Sequence, residues 1–344
     1  MTLDELKRNL QAFFSDGLVT IVGSGLSCAE GLPSMGDLAD ELISQVPKKC
    51  TPNDLIVWEK IAALLNGGTN LEAAITAHSC SSDLEDIIVE IVAKIVAAAE
   101  NQVIRECIEA GRELKFSSIL PFLSPQHPKV STIITTNYDR LIEVAAELQN
   151  FWVETGFCGK LMGKYDQIQS RHQGATGTSK IRSTVKLTFP NRVILSKPHG
   201  SLDWFLRNGE PIYSNLDVSS RPLIITPGNS KYRHGYNKPF DSQRDIGNRA
   251  IDVAKAILII GYGFNDDHLQ THLAQRINAG IPCLVLTRTL TDATRCIIKS
   301  SPSVIALSKN DPNGTLITSS SDEFSIDSIN MWDIESFTEE VLRS

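Results

Sequence analysis

The sequence predicts an α/β fold, a largely parallel sheet with helices on both faces plus an inserted helical lobe, and three observations carry that prediction. Apolar, β-branched runs recur at Gly17–Val22, Val130–Thr135, Ala256–Ile260 and Pro282–Leu286. Each is dominated by apolar or β-branched residues without a strict alternation, as strands covered on both faces are. The last two flank a helix-like segment, Asp267–Ala279, which is the strand–helix–strand order of parallel units. Two of the runs also enter glycine turns, Gly23-Ser24-Gly25 and Gly261-Tyr262-Gly263, where a strand must hand over sharply to a helix. Shorter candidate strands lie at Val193–Leu195 and Leu223–Ile225.

A chain of 344 residues is long enough for one large α/β domain and a smaller lobe. The sheet domain is expected over residues 1–49 and 126–308, and the helical lobe over 50–125. A basic loop insertion is expected at about 155–192, and a C-terminal tail with a short helix at 309–344. The longest lobe element, about Asp83–Leu114, carries Ile87, Ile88, Ile91, Val92, Ile95 and Val96 on nearly every face. Such a helix is buried on both sides, by the lobe itself or by another subunit. The insertion holds Lys160, Lys164, Arg171, Lys180, Arg182, Lys186 and Arg192, and its stretch Gln173–Ser179 reads as a mobile loop. It is either a solvated hairpin or a patch that meets phosphates or an acidic partner.

With 42% hydrophobic and 21% charged residues, the composition is that of an ordinary globular protein. No apolar run is long enough to span a bilayer, so no membrane association is expected. The opening Met1–Arg8 reads as an amphipathic helix and not as a signal peptide, which predicts a cytoplasmic protein. Seven cysteines, at 28, 50, 80, 107, 158, 283 and 296, are odd in number and never at C-x-x-C spacing. That argues against both a disulfide framework and a structural zinc ribbon. A net charge of −7 gives no global reason to bind nucleic acid, leaving only weak contact through the basic insertion.

Four constellations carry chemistry. Gly23-Ser24-Gly25-Leu26-Ser27 follows the first strand, where glycines let a backbone approach a pyrophosphate, although Cys28 stands where a third glycine would fall. Thr135-Thr136-Asn137-Tyr138-Asp139 sits at the C-terminal end of a strand, where ligands bind in open α/β sheets; Asn137 or Asp139 could equally cap the next helix. Lys197-Pro198-His199-Gly200 fixes a histidine in a turn, as a general base or as a turn residue bonded to its neighbours. Gly261-Tyr262-Gly263-Phe264-Asn265 offers a second nucleotide-facing loop. His268 and His272 lie four apart on the helix after it, but no third ligand stands at motif spacing and no metal is expected.

In this order and at these strand ends, the four resemble the sirtuin superfamily, most of all the bacterial sirtuin-like NAD hydrolases of anti-phage defence. The resemblance implies a Rossmann-like NAD-binding domain in which Gly23, Ser24, Gly25 and Ser27 cradle the phosphates. It implies Asn137 in the ribose pocket with Asp139 beside it, His199 as the catalytic histidine, and Gly261, Gly263 and Asn265 on the adenosine side. NAD would be the substrate, cleaved to nicotinamide and ADP-ribose. The deacylases of that superfamily carry a four-cysteine zinc ribbon and an Asp-Phe-Arg-type continuation of the first loop. Here there is no ribbon, and Pro33 is followed by Ser34-Met35-Gly36, so water is the expected nucleophile. An NAD or ADP-ribose sensor, a scaffold subunit, and a deacylase or ADP-ribosyltransferase are the alternatives. An enzyme that destroys NAD would harm its own cell and must be gated, either by homo-oligomerisation or by a separate protein. For the first, the helix Asp83–Leu114, apolar on many faces, is the candidate surface. For the second, the resemblance suggests a HerA-type ring ATPase.

Overall fold

The computed structural model describes residues 2–181, 184–216, 218, 220–226, 238–264 and 267–344. Its main sheet holds nine strands. In chain order these are β1 (Leu18–Val22), β2 (Val130–Thr135), β3 (Trp152–Glu154), β8 (Arg192–Ser196), β11 (Ala256–Ile260), β12 (Cys283–Thr287), β13 (Val304–Asn310), β14 (Gly314–Thr318) and β15 (Glu323–Asp327). Across the sheet they run β15-β14-β13-β12-β11-β1-β2-β8-β3. Every pairing from β13 through to β3 is parallel, and only β14 and β15 are antiparallel. The fold is therefore the expected Rossmann-like α/β arrangement, a mixed sheet with a parallel centre and helices on both sides.

The apolar runs divide between the two faces as the pleat requires. In β1, Val19 and Ile21 pack into one core with Ile251, Leu269, Leu273 and Ile277 from helices Phe240–Val253 and Asp267–Asn278. Leu18 and Val22 face the other core, which runs without a break into Trp58, Ile61, Leu84, Ile88 and Val92 of the lobe. The lobe therefore shares the hydrophobic core of one sheet face and has no separate one.

Its long helix spans Ser82–Glu109, and Ile88, Ile91, Val92 and Val96 are buried while Ile87 and Ile95 pack against the same core. The apolar positions read as a candidate self-association surface are therefore largely covered within the chain. The chain covers its own apolar helix, and of its large hydrophobic residues only Ile108, near the C-terminal end, is exposed. A buried Glu100 also pins the helix to Arg140, whose guanidinium reaches both carboxylate oxygens at 3.1 and 3.2 Å through Nε.

Two further boundaries differ from expectation. The sheet continues beyond residue 308, because Asp311–Gly314 turns the chain back into β14, and β15 then adds a sheet edge. The basic insertion is also structured. Strands β4 (Phe157–Gly159), β5 (Met162–Tyr165), β9 (Trp204–Arg207) and β10 (Glu210–Ser214) form a small antiparallel sheet ordered β4-β5-β10-β9. Strands β6 (Gly177–Ile181) and β7 (Thr184–Thr188) pair as a hairpin, so the stretch expected to be a mobile loop contains the start of β6. Part of the insertion's charge is satisfied within the chain: the Arg192 guanidinium lies 4.1 Å from the Phe189 ring centre and 3.2 Å from Glu154. Arg182 lies outside the described residues. Among the described residues, no helix is long and apolar enough to cross a membrane.

Candidate active site

The C-terminal ends of β1, β2, β8, β11, β12 and β13 open onto one cavity of about 800 Å³. This is the end of a parallel sheet where ligands bind, and the volume suits a nucleotide-sized molecule. Ser24, Gly25, Ser27, Asn137, Asp139, His199, Gly261 and Gly263 all line it. Gly23 does not; it stands behind, where its carbonyl accepts from Asn137. Asn265 lies outside the described residues, as does the side chain of His268. His272 turns its Nδ1 to Asp252 at 3.1 Å.

The two glycine turns meet each other before they meet any ligand. Gly25 N–H donates to the Gly261 carbonyl at 2.9 Å, and Gly23 N–H to the Ile260 carbonyl at 2.9 Å. A Cβ on Gly25 would sit 2.7 Å from the Gly261 Cα, and Gly261 itself holds a φ of 58°. Glycine is thus required at both positions for backbone to pass backbone. The amides of Gly23 and Gly25 are engaged in that contact, while Ser24 and Thr136 beside them line the cavity.

The Thr-Asn-Tyr-Asp turn is built as a short relay. Asn137, 8% exposed, donates both amide hydrogens inward, to the Gly23 carbonyl at 3.0 Å and the Ser27 hydroxyl at 2.8 Å. Ser27 Oγ in turn donates to Asp139 Oδ2 at 2.6 Å, while Asp139 Oδ1 accepts from Leu141 N–H at 3.2 Å at the start of helix Leu141–Leu148. Asp139 is therefore both a cap and the anchor of the relay. With both donors used, the Asn137 amide has only its carbonyl oxygen left to offer, an acceptor for a hydroxyl or a water. The hydroxyl of Ser27, a position the resemblance assigns to phosphate, couples Asn137 to Asp139.

His199 is held by its turn. Ile225 N–H donates to the His199 carbonyl at 2.9 Å, and Gly200 follows at a φ of 83° with the Leu223 carbonyl so close that no Cβ fits. Beneath this turn lies a residue the motifs did not assign. Lys197 is fully buried, and its ammonium donates to the Asp139 carbonyl at 2.6 Å, to Glu143 Oε1 at 2.7 Å and to Ser201 Oγ at 3.0 Å. It clamps the asparagine turn to the histidine turn. Gln243, also fully buried, completes the clamp by accepting from Lys197 N–H at 2.9 Å and donating to the Thr155 carbonyl at 2.7 Å.

Burial pushes the Glu143 carboxyl up to about 7, against the opposing pull of Lys197, and its second oxygen has no partner. The folded protein thus holds this proton more tightly than an unfolded chain, where the carboxyl titrates near 4.5. Stability should therefore fall as pH rises from about 4.5 to about 7, with a contribution on the order of 3 kcal/mol from this group. Buried Glu30 and half-buried Glu154, both raised chiefly by desolvation, add the same sign. The readout is accordingly the difference between wild type and Glu143→Gln in urea unfolding, and identical pH slopes would refute the assignment.

The remaining wall comes from segments with no motif. Asn70, Leu71, Glu72 and Val96 of the lobe line the cavity, as do Trp332, Asp333 and Ile334 of the C-terminal segment. Lys115 ties that segment down through Asp333 at 3.1 Å and Glu335 at 2.6 Å. Glu30 fastens the first loop to the same region, accepting from Lys115 N–H at 2.6 Å and from Arg112 at 2.8 Å. Among the described residues, no group of three or more His, Cys, Asp or Glu side chains is placed to hold a metal.

Residues 131–282 match the family model for the SIR2-like domain. That span contains Asn137, Asp139, His199, Gly261 and Gly263 but not the first glycine loop. No curated protein matches the chain. Among solved structures, one concerned with the mechanism and regulation of Sir2 enzymes is similar at 12% identity and a TM-score of 0.45, over 99% of this chain and 99% of that one. A Sir2 protein bound to a propionylated peptide is similar at 13% identity and a TM-score of 0.46, over 100% of this chain and 98% of that one. The chain thus carries a SIR2-like segment, and that segment contains the asparagine and histidine turns of the cavity.

Proposed function

We propose that this protein hydrolyses NAD at the bond between nicotinamide and ribose. The observation that carries the reading is the convergence of Asn137, His199 and both glycine turns on one cavity at the C-terminal ends of the strands. Nicotinamide leaves as the C1′–N bond breaks, its electron pair passing to the ring nitrogen and neutralising the pyridinium. The ribose takes on oxocarbenium character, and a water oxygen attacks C1′. The Asn137 carbonyl oxygen accepts from that water or from a ribose hydroxyl, and His199 takes the proton, so the products are nicotinamide, ADP-ribose and one proton. Asp139 acts through Ser27 by fixing the Asn137 amide.

NAD depletion in anti-phage defence is the setting that fits such an activity, with gating by self-assembly or by a HerA-type ring ATPase. The long lobe helix is not part of that proposal, since its apolar residues are already covered.

The test is chromatography of nicotinamide and ADP-ribose after incubation with NAD alone, with and without such a partner. Both products should appear in equal amounts. Turnover that appears only with an acylated peptide would assign the site to deacylation instead.

A further inference from the structure

The cavity extends well past the groups this chemistry requires. The sheet order places β12 and β13 on the opposite side of β1 from β2 and β8. Neighbouring strands lie about 4.8 Å apart, so the end of β12 is about 14 Å from the end of β2. With the nicotinamide ribose at Asn137 and the pyrophosphate over the glycine turns, the adenosine ribose falls at β12 and β13. The cavity wall there is lined by Leu286 and by the polar residues Thr287, Arg288, Thr289, Thr291 and Lys309.

This wall has the opposite charge to the one a free ribose requires. A dinucleotide site for an unphosphorylated adenosine ribose places a carboxylate on its 2′-hydroxyl, whereas arginine there accommodates a 2′-phosphate. Here two cations and three hydroxyl-bearing residues line the wall, and no carboxylate from β12 or β13 joins them. Lys309 N–H donates to the Arg288 carbonyl at 3.2 Å, which places the two cationic residues side by side. The acid nearby, Asp311, bonds Lys309 at 2.6 Å but is 81% exposed and does not line the cavity. Its carboxyl is held below the usual range by the Lys309 hydrogen bond first, with the Arg288 charge adding to it.

We propose that Arg288 and Lys309 form a subsite for a 2′-phosphate on the adenosine ribose, so that the cavity takes NADP as well as NAD. This rests on the dinucleotide reading of the cavity, and it adds a specificity that the asparagine and histidine turns do not determine. Arg288 supplies planar donors to two phosphate oxygens, and Lys309 a point charge that exchanges Asp311 for the phosphate.

Calorimetric titration of ADP-ribose and 2′-phospho-ADP-ribose tests it without depending on turnover. Wild type should bind the phosphorylated ligand at least as tightly as the other. Arg288→Glu should shift the ratio of the two dissociation constants at least about tenfold against the phosphorylated ligand, and Lys309→Ala should shift it in the same direction. A ratio that neither variant moves would overturn the subsite, since it would place both cations on the pyrophosphate or on Asp311 alone. So would a wild type that rejects the phosphorylated ligand. Nicotinamide release from NAD and NADP is measured in parallel. A shifted ratio with no release, whether or not the ring ATPase is added, would sustain the subsite and refute hydrolysis, whereas binding of neither ligand would overturn both.

Discussion

Asn137→Ala and His199→Ala are each expected to lower nicotinamide release by about 10²–10⁴-fold, the range for removal of a positioned acid–base group. The two should differ in what else they change. His199 is half-buried in a turn that Gly200 and the Ile225 amide define through the backbone, so the turn itself should survive its loss. Asn137 is buried, and its removal leaves the Gly23 carbonyl without that donor and the Ser27 hydroxyl without its own. A cost of about 1–3 kcal/mol should accompany its loss of activity. Ser27→Ala supplies the control: it breaks the relay from Asp139 while keeping the Asn137 side chain, and should lower turnover less than Asn137→Ala. Activity and melting temperature measured on the same preparations check this. A His199→Ala protein with near-normal turnover would remove the histidine from the chemistry.

The residues legible in the sequence were those whose role depends on local pattern. Strands β2 and β11 fall where their β-branched and apolar runs begin and end, because both faces of the sheet are covered; β11 is apolar throughout, and β2 buries Ser131 and Thr135 beside Ile133 and Ile134. The glycine, asparagine and histidine turns were legible because each closes such a run. What the sequence did not reveal depends on contacts between distant segments. β14, Gly-Thr-Leu-Ile-Thr, is buried at nearly every position yet holds only two large apolar residues, and β15 is an exposed edge with an acid at each end, so neither shows an apolar run. Ser27 read as a phosphate contact, and only the fold brings its hydroxyl between Asn137 and Asp139. Trp332–Ile334 line the cavity from a tail that, on composition, merely ends the chain. Lysine is almost never fully buried, and nothing around Lys197 marks it as the exception.

That exception yields the largest expected effect on stability. Lys197→Met should destabilise the fold by about 3–5 kcal/mol, the cost of removing one partner of a buried ion pair. The side chains are similar in length, so the loss is one of charge and hydrogen bonds more than of volume. Three acceptors lose a donor at once: the Asp139 carbonyl, the Ser201 hydroxyl and Glu143 Oε1. Glu143 would then be a largely buried carboxyl without its cation, and its second oxygen already lacks a partner. Against a total stability of about 5–15 kcal/mol, such a loss is a large fraction of the whole. Adding Glu143→Met should recover part of it, because an apolar pair of similar volume leaves no charge stranded. Activity should not recover in parallel. The double variant restores packing but not the bonds that join the asparagine turn to the histidine turn, so Asn137 and His199 lose their common support. Urea unfolding of the two single variants and the double variant, with nicotinamide release measured where each is folded, separates these effects. Full activity in the double variant would show that Lys197 serves the fold alone.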